Sequence, residues 1–292
     1  MEHRSGYVNI IGKPNVGKST LMNAMVGEKL SIITSKAQTT RHRIHGIVNT
    51  PEYQVVFSDT PGILEPSYKL QEAMLKAARS ALVDADVLIY LAEIGDKPDP
   101  EDPFLKKLAA MKIPVLLVIN KIDLSNQEQV EAAMETWNQV LPAAEKIPVS
   151  ALENFNVDFV FNRILHHLPE SPPYYPKDAL TDKSERFIAG EMIREKILIQ
   201  YKQEIPYAVE VEIESFKEKN RLIRIYAVIF VEREGQKGIL IGNEGKAMKR
   251  VGREARIDME SFFNKKVFLE LKVKVKKDWR NNERQIKKFG YH

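Results

Sequence analysis

The sequence contains no cysteine among its 292 residues. This absence excludes disulfide bridges, cysteine-ligated zinc sites and thiol redox chemistry, and it suits the reducing cytoplasm. Long apolar runs are also missing. The stretches 87–92 and 115–120 have the length of buried strands, well short of the roughly 20 residues that span a bilayer. The N-terminus lacks a basic segment followed by an apolar core, so we expect a cytoplasmic protein without signal peptide or transmembrane segment.

A net charge of only +4 conceals opposite charges in the two halves of the chain. Residues 1–180 carry 18 basic and 22 acidic side chains, whereas residues 181–292 carry 26 and 18. Prolines at 169, 172, 173 and 176 mark the change of sign, and proline fixes φ and removes a donor. We therefore predict a domain of residues 1–168, a semi-rigid linker of residues 169–180, and a basic domain of residues 181–292.

A phosphate-binding loop is predicted near the N-terminus, where residues 7–20 read YVNIIGKPNVGKST. The spacing G-x-x-x-x-G-K-[ST] follows an apolar strand and opens a helix. Gly12 and Gly17 let backbone N–H groups approach phosphate oxygens, and the helix N-terminus favours an anion. Lys18 would reach the β- and γ-phosphates, and the Ser19 hydroxyl would ligate Mg²⁺.

The first domain is predicted to be α/β, a mostly parallel sheet covered by helices on both faces. Short β-rich runs at 87–92, 115–120 and 147–150 alternate with helical patterns at 101–111, 127–141 and 155–168. Two further strands precede them, and the second ends at Asp59, where a carboxylate beside the loop could serve Mg²⁺. Gly62 can offer a bare N–H to a γ-phosphate. The polar segment 28–43 is predicted to be a functional lid.

The base-binding end of the site is predicted at two later strand ends. Residues 120–123 read Asn-Lys-Ile-Asp, and residues 150–152 read Ser-Ala-Leu. The Asp123 carboxylate could accept the N1–H and N2–H₂ groups of guanine together, which adenine lacks. An adenine-nucleotide enzyme is the alternative that this motif argues against.

These five motifs, in this order, resemble those of the translation-factor-like GTPases over residues 7–168. The resemblance adds Asn15, Val16 and Thr20 to the phosphate site and implies that Lys18, Thr40 and Gly62 act in catalysis. It implies Ser19, Thr40 and Asp59 as Mg²⁺ ligands, although spacing leaves Thr39 open in place of Thr40. The base is then contacted by Asn120, Lys121, Asp123, Ser150, Ala151 and Leu152.

One departure concerns hydrolysis. Ile63 follows Gly62, where Ras-like GTPases carry the glutamine that orients the attacking water. Isoleucine cannot hydrogen-bond water, so we expect slow intrinsic GTP hydrolysis helped by a cation or partner. In similar GTPases the asparagine corresponding to Asn15 helps bind K⁺. A merely loop-shaping role for Asn15 stays open.

The basic half resembles a type II KH domain, with predicted order α-β-β-α-α-β and a Gly242-Asn243-Glu244-Gly245 loop before a basic helix. Such loops clamp about four nucleotides. Glu244 departs from the usual basic loop, which shifts the expected phosphate contacts to the helix, where Arg253 and Arg256 also lie. The predicted RNA-binding residues are Ile241, Gly242, Asn243, Glu244, Gly245, Lys246, Lys249 and Arg250. A solvated helix face remains the alternative for these charges.

A GTPase domain joined to a C-terminal KH domain resembles the Era family across nearly the whole chain. That resemblance implies a GTP- and GDP-binding switch that binds 16S rRNA near its 3′ end during assembly of the small ribosomal subunit. The rival interpretation is a GTPase whose basic domain associates peripherally with anionic membranes. Trp279 is predicted to anchor the second core rather than to stack on a base.

Overall fold

The computed structural model describes residues 3–291, which separate by their contacts into two compact units. The first unit comprises the described residues up to Ser31 together with 40–65 and 74–182. The second comprises 32–39, 66–73 and the described residues from Lys183 onward. The units are therefore not simply the two halves of the sequence.

The first unit is built on a six-stranded sheet of order β2-β3-β1-β4-β5-β6. Only β2 is antiparallel to its neighbour, so the prediction of a mostly parallel α/β fold is confirmed. Its strands are β1 (Arg4–Gly12), β2 (Ile44–Asn49), β3 (Tyr53–Asp59), β4 (Val87–Glu93), β5 (Val115–Asn120) and β6 (Glu145–Pro148).

Five helices lie wholly or partly in this unit: α1 (Lys18–Val26), α2 (Lys69–Ser80), α3 (Pro103–Ala109), α4 (Gln127–Val140) and α5 (Val157–His167). Of these, α2 begins in the segment 66–73 of the second unit. The sequence interpretation missed α2, although Leu70, Met74 and Ala78 recur every four residues and are all buried. The central strands are buried as continuous apolar runs, as expected where both faces of a parallel sheet are covered.

The proline-rich stretch is part of the first unit rather than a free linker. Isolated bridges join Arg4 to Glu170 and Gly46 to Thr181. The buried Gln54 side chain accepts the N–H groups of Tyr174 and Tyr175 at 2.7 and 2.9 Å. These bonds hold residues 169–180, predicted as a semi-rigid linker, against β1, β2 and β3, and the first unit extends to Asp182. In an extended proline-rich segment, the backbone N–H and C=O groups are not paired with one another. Here some of them hydrogen-bond to other residues of the first unit.

The second unit is a three-stranded sheet of order β7-β8-β9 with most of its helices packed on one face. Its elements are α6 (Glu185–Gln200), α7 (Ile205–Ala208), β7 (Glu210–Lys219), β8 (Leu222–Val231), α8 (Glu234–Ile241), α9 (Lys246–Phe263), β9 (Lys266–Val275) and α10 (Glu283–Lys288). The predicted order α-β-β-α-α-β is confirmed, with the short α7 and α10 added. Trp279 is fully buried and its indole N–H donates to the Ala208 carbonyl at 2.9 Å, so the predicted anchor is also confirmed.

No helix within residues 3–291 is long and apolar enough to cross a membrane.

Candidate functional site

The phosphate loop connects β1 to α1 through backbone conformations that require glycine at two positions. Gly12 has φ +152° and Gly17 has φ +101°. A Cβ at Gly12 would lie 2.3 Å from the Leu91 carbonyl oxygen, and one at Gly17 would lie 2.3 Å from Asn120 Nδ2. Both predicted glycines are thus fixed by backbone conformation and by close neighbours.

Lys18 begins α1 and folds back over this loop. Its ammonium donates to the carbonyl oxygens of Gly12 at 3.2 Å and Lys13 at 2.7 Å. Burial lowers the pKa of Lys18 to about 8, although the Asp59 carboxylate opposes this shift. A phosphate placed against the loop would restore full protonation, so the buried ammonium is well suited to an anionic ligand.

Three oxygen-bearing side chains converge beside the loop. The Ser19 hydroxyl lies 2.6 Å from Asp59 Oδ2 and 2.9 Å from the Thr40 hydroxyl, and Thr40 lies 3.2 Å from Asp59 Oδ2. The sheet brings them together, because the β1–β3 register pairs Ile10 with Asp59 two residues before the phosphate loop. The predicted ligands Ser19, Thr40 and Asp59 therefore share one location.

Burial of Asp59 makes its charged form electrostatically unfavourable. The residue is fully buried, and desolvation raises its pKa despite the hydrogen bond from Ser19 and the charge of Lys18. Its Oδ1 atom is buried without a hydrogen-bond partner. An orphaned carboxylate oxygen beside two hydroxyls fits a hard cation such as Mg²⁺, which prefers oxygen ligands.

The structure distinguishes Thr40 from Thr39 geometrically. The Thr39 hydroxyl donates to the Lys36 carbonyl at 2.6 Å and pairs with the Thr34 hydroxyl at 2.6 Å. Thr39 is thus engaged within its own loop, whereas Thr40 is bonded to the two other candidate ligands.

Gly62 lies against the phosphate loop, as its predicted role requires. A Cβ at this position would be only 2.8 Å from Pro14, so a larger residue would displace the loop. The next residue, Ile63, donates its N–H to the Gly12 carbonyl at 3.3 Å. Its aliphatic side chain brings no polar group to this end of the site.

Asn120 connects three of the five motifs. Its amide donates to the Val16 carbonyl at 2.8 Å and its carbonyl accepts the Ala151 N–H at 2.9 Å. Asn120 is buried, so it holds the phosphate loop and the 150–152 loop together. Val16 likewise acts through its backbone, because its side chain is buried in the core.

Asp123, predicted to bind the base, is exposed. Ser150 donates to Asp123 Oδ1 at 2.5 Å, which orients the carboxylate and leaves Oδ2 as the second acceptor. Lys121, in the left-handed region at φ +66°, forms an ion pair with Glu93. Leu152 is 76 % exposed at the edge of this end.

A turn that the sequence interpretation missed connects the two ends of the site. The β4–β5 register pairs Glu93 with Asn120, and Glu93 thus meets Lys121. Asp96 accepts the Glu93 N–H at 3.1 Å and the Lys13 ammonium at 2.7 Å. The turn 93–96 therefore contacts both the phosphate loop and the base-binding motif. The available signal was a carboxylate at the end of a buried parallel strand, where ligands of such sheets bind.

The second unit has a groove of about 720 Å³ between α9 and β9. Its cations Lys249, Arg253 and Arg256 follow one stripe of α9, and its floor is apolar. The lining residues are Ile241, Gly245, Met248, Lys249, Gly252, Arg253, Arg256, Leu269, Glu270, Leu271 and Val273.

Three predicted RNA-binding residues, Ile241, Gly245 and Lys249, line this groove. Arg250 does not, because it points about 100° further around the helix, into a neighbouring depression, where it pairs with Glu254 at 3.0 Å. Arg253 and Arg256 take its place in the groove. The helical phase, set by the buried Val251, Ala255 and Met259, was a signal that could have found them.

The glycine loop before α9 has left-handed backbone at three positions, Gly242, Glu244 and Gly245. A Cβ at Gly242 would meet Ala247 at 2.6 Å, whereas the space around Gly245 is open. Asn243 lies between them, outside the groove lining. Glu244 pairs with Lys246 at 3.0 Å on the surface. That ion pair offsets the acidic charge that the sequence places in this loop.

Two known protein families match separate parts of the chain. A family described as 50S ribosome-binding GTPase matches residues 7–121, and the KH domain family matches residues 204–280. GTPase Era of Syntrophus aciditrophicus is 46% identical, over 99% of this chain and 95% of that protein. The chloroplastic GTPase ERA1 of Zea mays is also 46% identical, over 99% of this chain and 71% of that protein.

A solved structure of Era in complex with MgGDPNP and nucleotides 1506–1542 of 16S ribosomal RNA is 38% identical. It matches with a TM-score of 0.94 over 99% of each chain. Motifs, fold and full-length similarity agree, and this chain belongs to the Era family of GTPases.

Proposed function

We propose that the protein is a cytoplasmic GTP-hydrolysing switch that binds 16S rRNA near its 3′ end and acts in assembly of the small ribosomal subunit. The main support is its likeness over 99% of both chains to an Era structure that holds MgGDPNP and a 16S rRNA segment. The two candidate sites, one in each unit, supply the chemistry that such a protein needs.

The nucleotide site is proposed to hold GTP or GDP with Mg²⁺. Ser19, Thr40 and Asp59 would hold the ion, which neutralises charge on the β- and γ-phosphates when bound. Lys18 would give up its loop carbonyls and bind the same phosphates. Asp123 would read the guanine edge while Ser150 keeps its carboxylate in place.

GTP hydrolysis is proposed to be slow without an activator. Ile63 cannot orient the attacking water. Other groups must therefore position the water and stabilise the negative charge of the transition state. Asn15, at the left-handed φ of +64° within the phosphate loop, is proposed to help bind K⁺. A monovalent cation there would stabilise charge that develops between the β- and γ-phosphates.

The RNA site is proposed to be the groove between α9 and β9. Lys249, Arg253 and Arg256 would contact phosphates, and the apolar floor would receive the unstacked bases of a single strand. This combination favours single-stranded RNA over an anionic membrane, because a flat lipid surface cannot enter a groove to reach its apolar floor.

The decisive experiment is chemical footprinting of the purified protein on assembling small ribosomal subunits with GDP or a GTP analogue. We expect protection near the 3′ end of 16S rRNA that depends on the nucleotide. A filter-binding comparison of RNA with anionic liposomes, and competition between GTP and ATP, serve as controls. Protection elsewhere, tighter binding to liposomes, or displacement of GTP by ATP would each contradict the proposal.

A further inference from the structure

The second unit has a sheet face that its helices do not cover. Ile223, Ile225 and Ala227 of β8 are buried against the helices, so the alternate residues Arg224 and Tyr226 point to the opposite face. On β9 the same alternation turns Phe268, Glu270, Lys272 and Lys274 to that face. Lys217 of β7 pairs with Arg224 across the sheet and therefore lies on the same face. We call the set Lys217, Arg224, Tyr226, Phe268, Glu270, Lys272 and Lys274 the outer sheet face.

Two aromatic rings lie side by side on the outer sheet face. The Tyr226 and Phe268 ring centroids are 6.1 Å apart with an interplanar angle of 57°. Phe268 is 47% exposed and Tyr226 is half-buried. Because burial of an aromatic side chain is favourable, a phenylalanine that stays half in water offers a surface to another aromatic group.

The charges around the rings favour an anionic partner. Lys217, Arg224, Lys272 and Lys274 outnumber the three nearby carboxylates, Glu212, Glu214 and Glu270. Glu212 lies 3.6 Å from Lys288. Glu270 lies 3.4 Å from Lys272 and Glu214 lies 2.9 Å from Lys274, so each is already matched by a lysine. Arg224 lies directly across from Phe268 in the β8–β9 register. It is exposed beside the more exposed ring.

One end of the outer sheet face is covered by residues of the chain itself. Phe289, just after α10, packs on Phe230 at 5.4 Å, and the Lys276 ammonium lies 4.7 and 5.0 Å from those two rings. This cover stops before Tyr226 and Phe268. At one end of the face, the chain itself supplies the partners of the aromatic ring and the cation. At the other end, Tyr226 and Phe268 have no such cover among the residues that the structure describes.

The strand β9 connects the outer sheet face to the groove. It is an edge strand, and Leu269, Leu271 and Val273 line the groove while Phe268 and Lys272 alternate to the other side. A single strand that leaves the groove across the free edge of β9 reaches the two rings directly.

We propose that the outer sheet face is a second RNA contact, where Tyr226 and Phe268 stack on bases of a single strand that also occupies the groove. Aromatic rings on an open sheet face, surrounded by cations, bind single-stranded bases with little sequence preference. The proposal rests on the RNA-binding function proposed above and adds a site outside the groove.

The test uses the full-length protein and two RNAs from the 3′ end of 16S rRNA. One is a tetranucleotide that fills the groove, and the other is a twelve-nucleotide RNA with the same sequence at its centre. Phe268→Ala is expected to weaken binding of the longer RNA about fivefold and to leave the affinity for the tetranucleotide unchanged. Phe268→Trp restores the affinity and Phe268→Leu does not, because stacking needs an aromatic ring.

Two further variants complete the design. Arg224→Ala should reduce the salt dependence for the longer RNA alone, by about 0.7 in the log–log slope. Phe155→Ala, which removes a 57% exposed phenylalanine of the first unit, is the matched control and should change neither affinity.

The outcomes separate this proposal from the one it rests on. Equal binding of the longer RNA by Phe268→Ala and the parent overturns the outer-face site, even if groove variants lose RNA. Equal losses with both RNAs also overturn it, because they indicate damage to the groove or fold. If the parent binds neither RNA, both proposals fail.

Discussion

At the scale of the residue, the nucleotide site contains charged groups whose burial is unfavourable without a ligand. Asp59 is a buried carboxylate with an orphaned oxygen, and Lys18 is a buried ammonium with a pKa lowered to about 8. The same burial that destabilises each group without ligand strengthens its interaction with a phosphate or a metal ion. Two predictions follow from these two residues.

Asp59→Asn is expected to stabilise the nucleotide-free protein. The amide keeps an oxygen to accept from Ser19 but removes a buried charge that Lys18 compensates only in part, worth about 1–2 kcal/mol, or a few degrees in Tm. The variant should also lose the further stabilisation that Mg²⁺ and GDP give the parent. Thermal denaturation with and without Mg²⁺ and GDP measures both effects, and a lower Tm of the nucleotide-free variant would contradict the assignment.

Lys18 predicts how GDP affinity changes between pH 7.5 and 9. Below its pKa of about 8 the ammonium is already charged, so affinity should be nearly constant. Above it, binding must take up a proton, and affinity should fall by a factor approaching ten per pH unit. Fluorescence titration at fixed Mg²⁺ measures this. Lys18→Arg, which stays charged, should bind more weakly without the bend, and a parent curve without a bend would refute the lowered pKa.

At the scale of the element, loops at strand ends do the positioning. The turn 93–96 holds Lys121 through Glu93 and Lys13 through Asp96, although neither carboxylate belongs to a recognised motif. In the second unit, the glycine loop precedes α9 and sets its direction, so that the side chains of Lys249, Arg253 and Arg256 face the groove. Each element can be tested by a single substitution with a matched control.

Glu93→Gln should weaken GTP binding about two- to fivefold, because a partly exposed ion pair contributes up to about 1 kcal/mol. The loss arises from a Lys121 side chain no longer held in place. Glu101→Gln removes a comparable surface partner, of Lys106, outside the site and should have no effect. Equal GTP affinities of parent and Glu93→Gln, measured by equilibrium titration, would show that the turn does not position the base-binding motif.

Gly245→Asp should reduce RNA affinity at least tenfold and leave GTP binding unchanged. It puts a side chain at φ +73° and a carboxylate into the lining of a basic groove. Gly235→Asp adds the same charge in open space without left-handed backbone and should bind RNA like the parent. Filter binding across a salt series compares the three proteins. RNA affinity retained by Gly245→Asp would place the RNA site elsewhere.

At the scale of the whole molecule, hydrolysis should depend on what the phosphate loop cannot supply itself. With Ile63 inert, single-turnover GTP hydrolysis is expected to be faster in K⁺ than in Na⁺, and faster again with 16S rRNA. Ile63→Ala should change these rates less than twofold, because isoleucine contributes no hydrogen bond. Identical rates in Na⁺ and K⁺, with and without RNA, would reject both sources of activation.

The sequence predicted the fold well because its signals were local. The phosphate loop, the alternation of strands and helices and the glycine loop each depend on spacing along the chain. It could not predict that Asn120 binds Val16 and Ala151, since that depends on how strands β1, β5 and β6 are ordered. The helical phase of α9 separates the stripe of Arg253 from that of Arg250, but which stripe faces the groove depends on how α9 packs against β9.

The chain passes between its two units five times, once between the neighbouring residues Thr39 and Thr40. A fragment of residues 183–292 would therefore lack two pieces of its own fold. Arg194, buried beside Glu191, donates to the Thr39 carbonyl, and Glu195 accepts the Ile33 N–H at 3.1 Å. Cut away from those partners, α6 would expose a polar cluster and lose its hydrogen bonds. Proteolysis at residue 183 should accordingly give pieces that remain associated until they unfold, so cleavage would be visible on a denaturing gel before it affects size-exclusion elution.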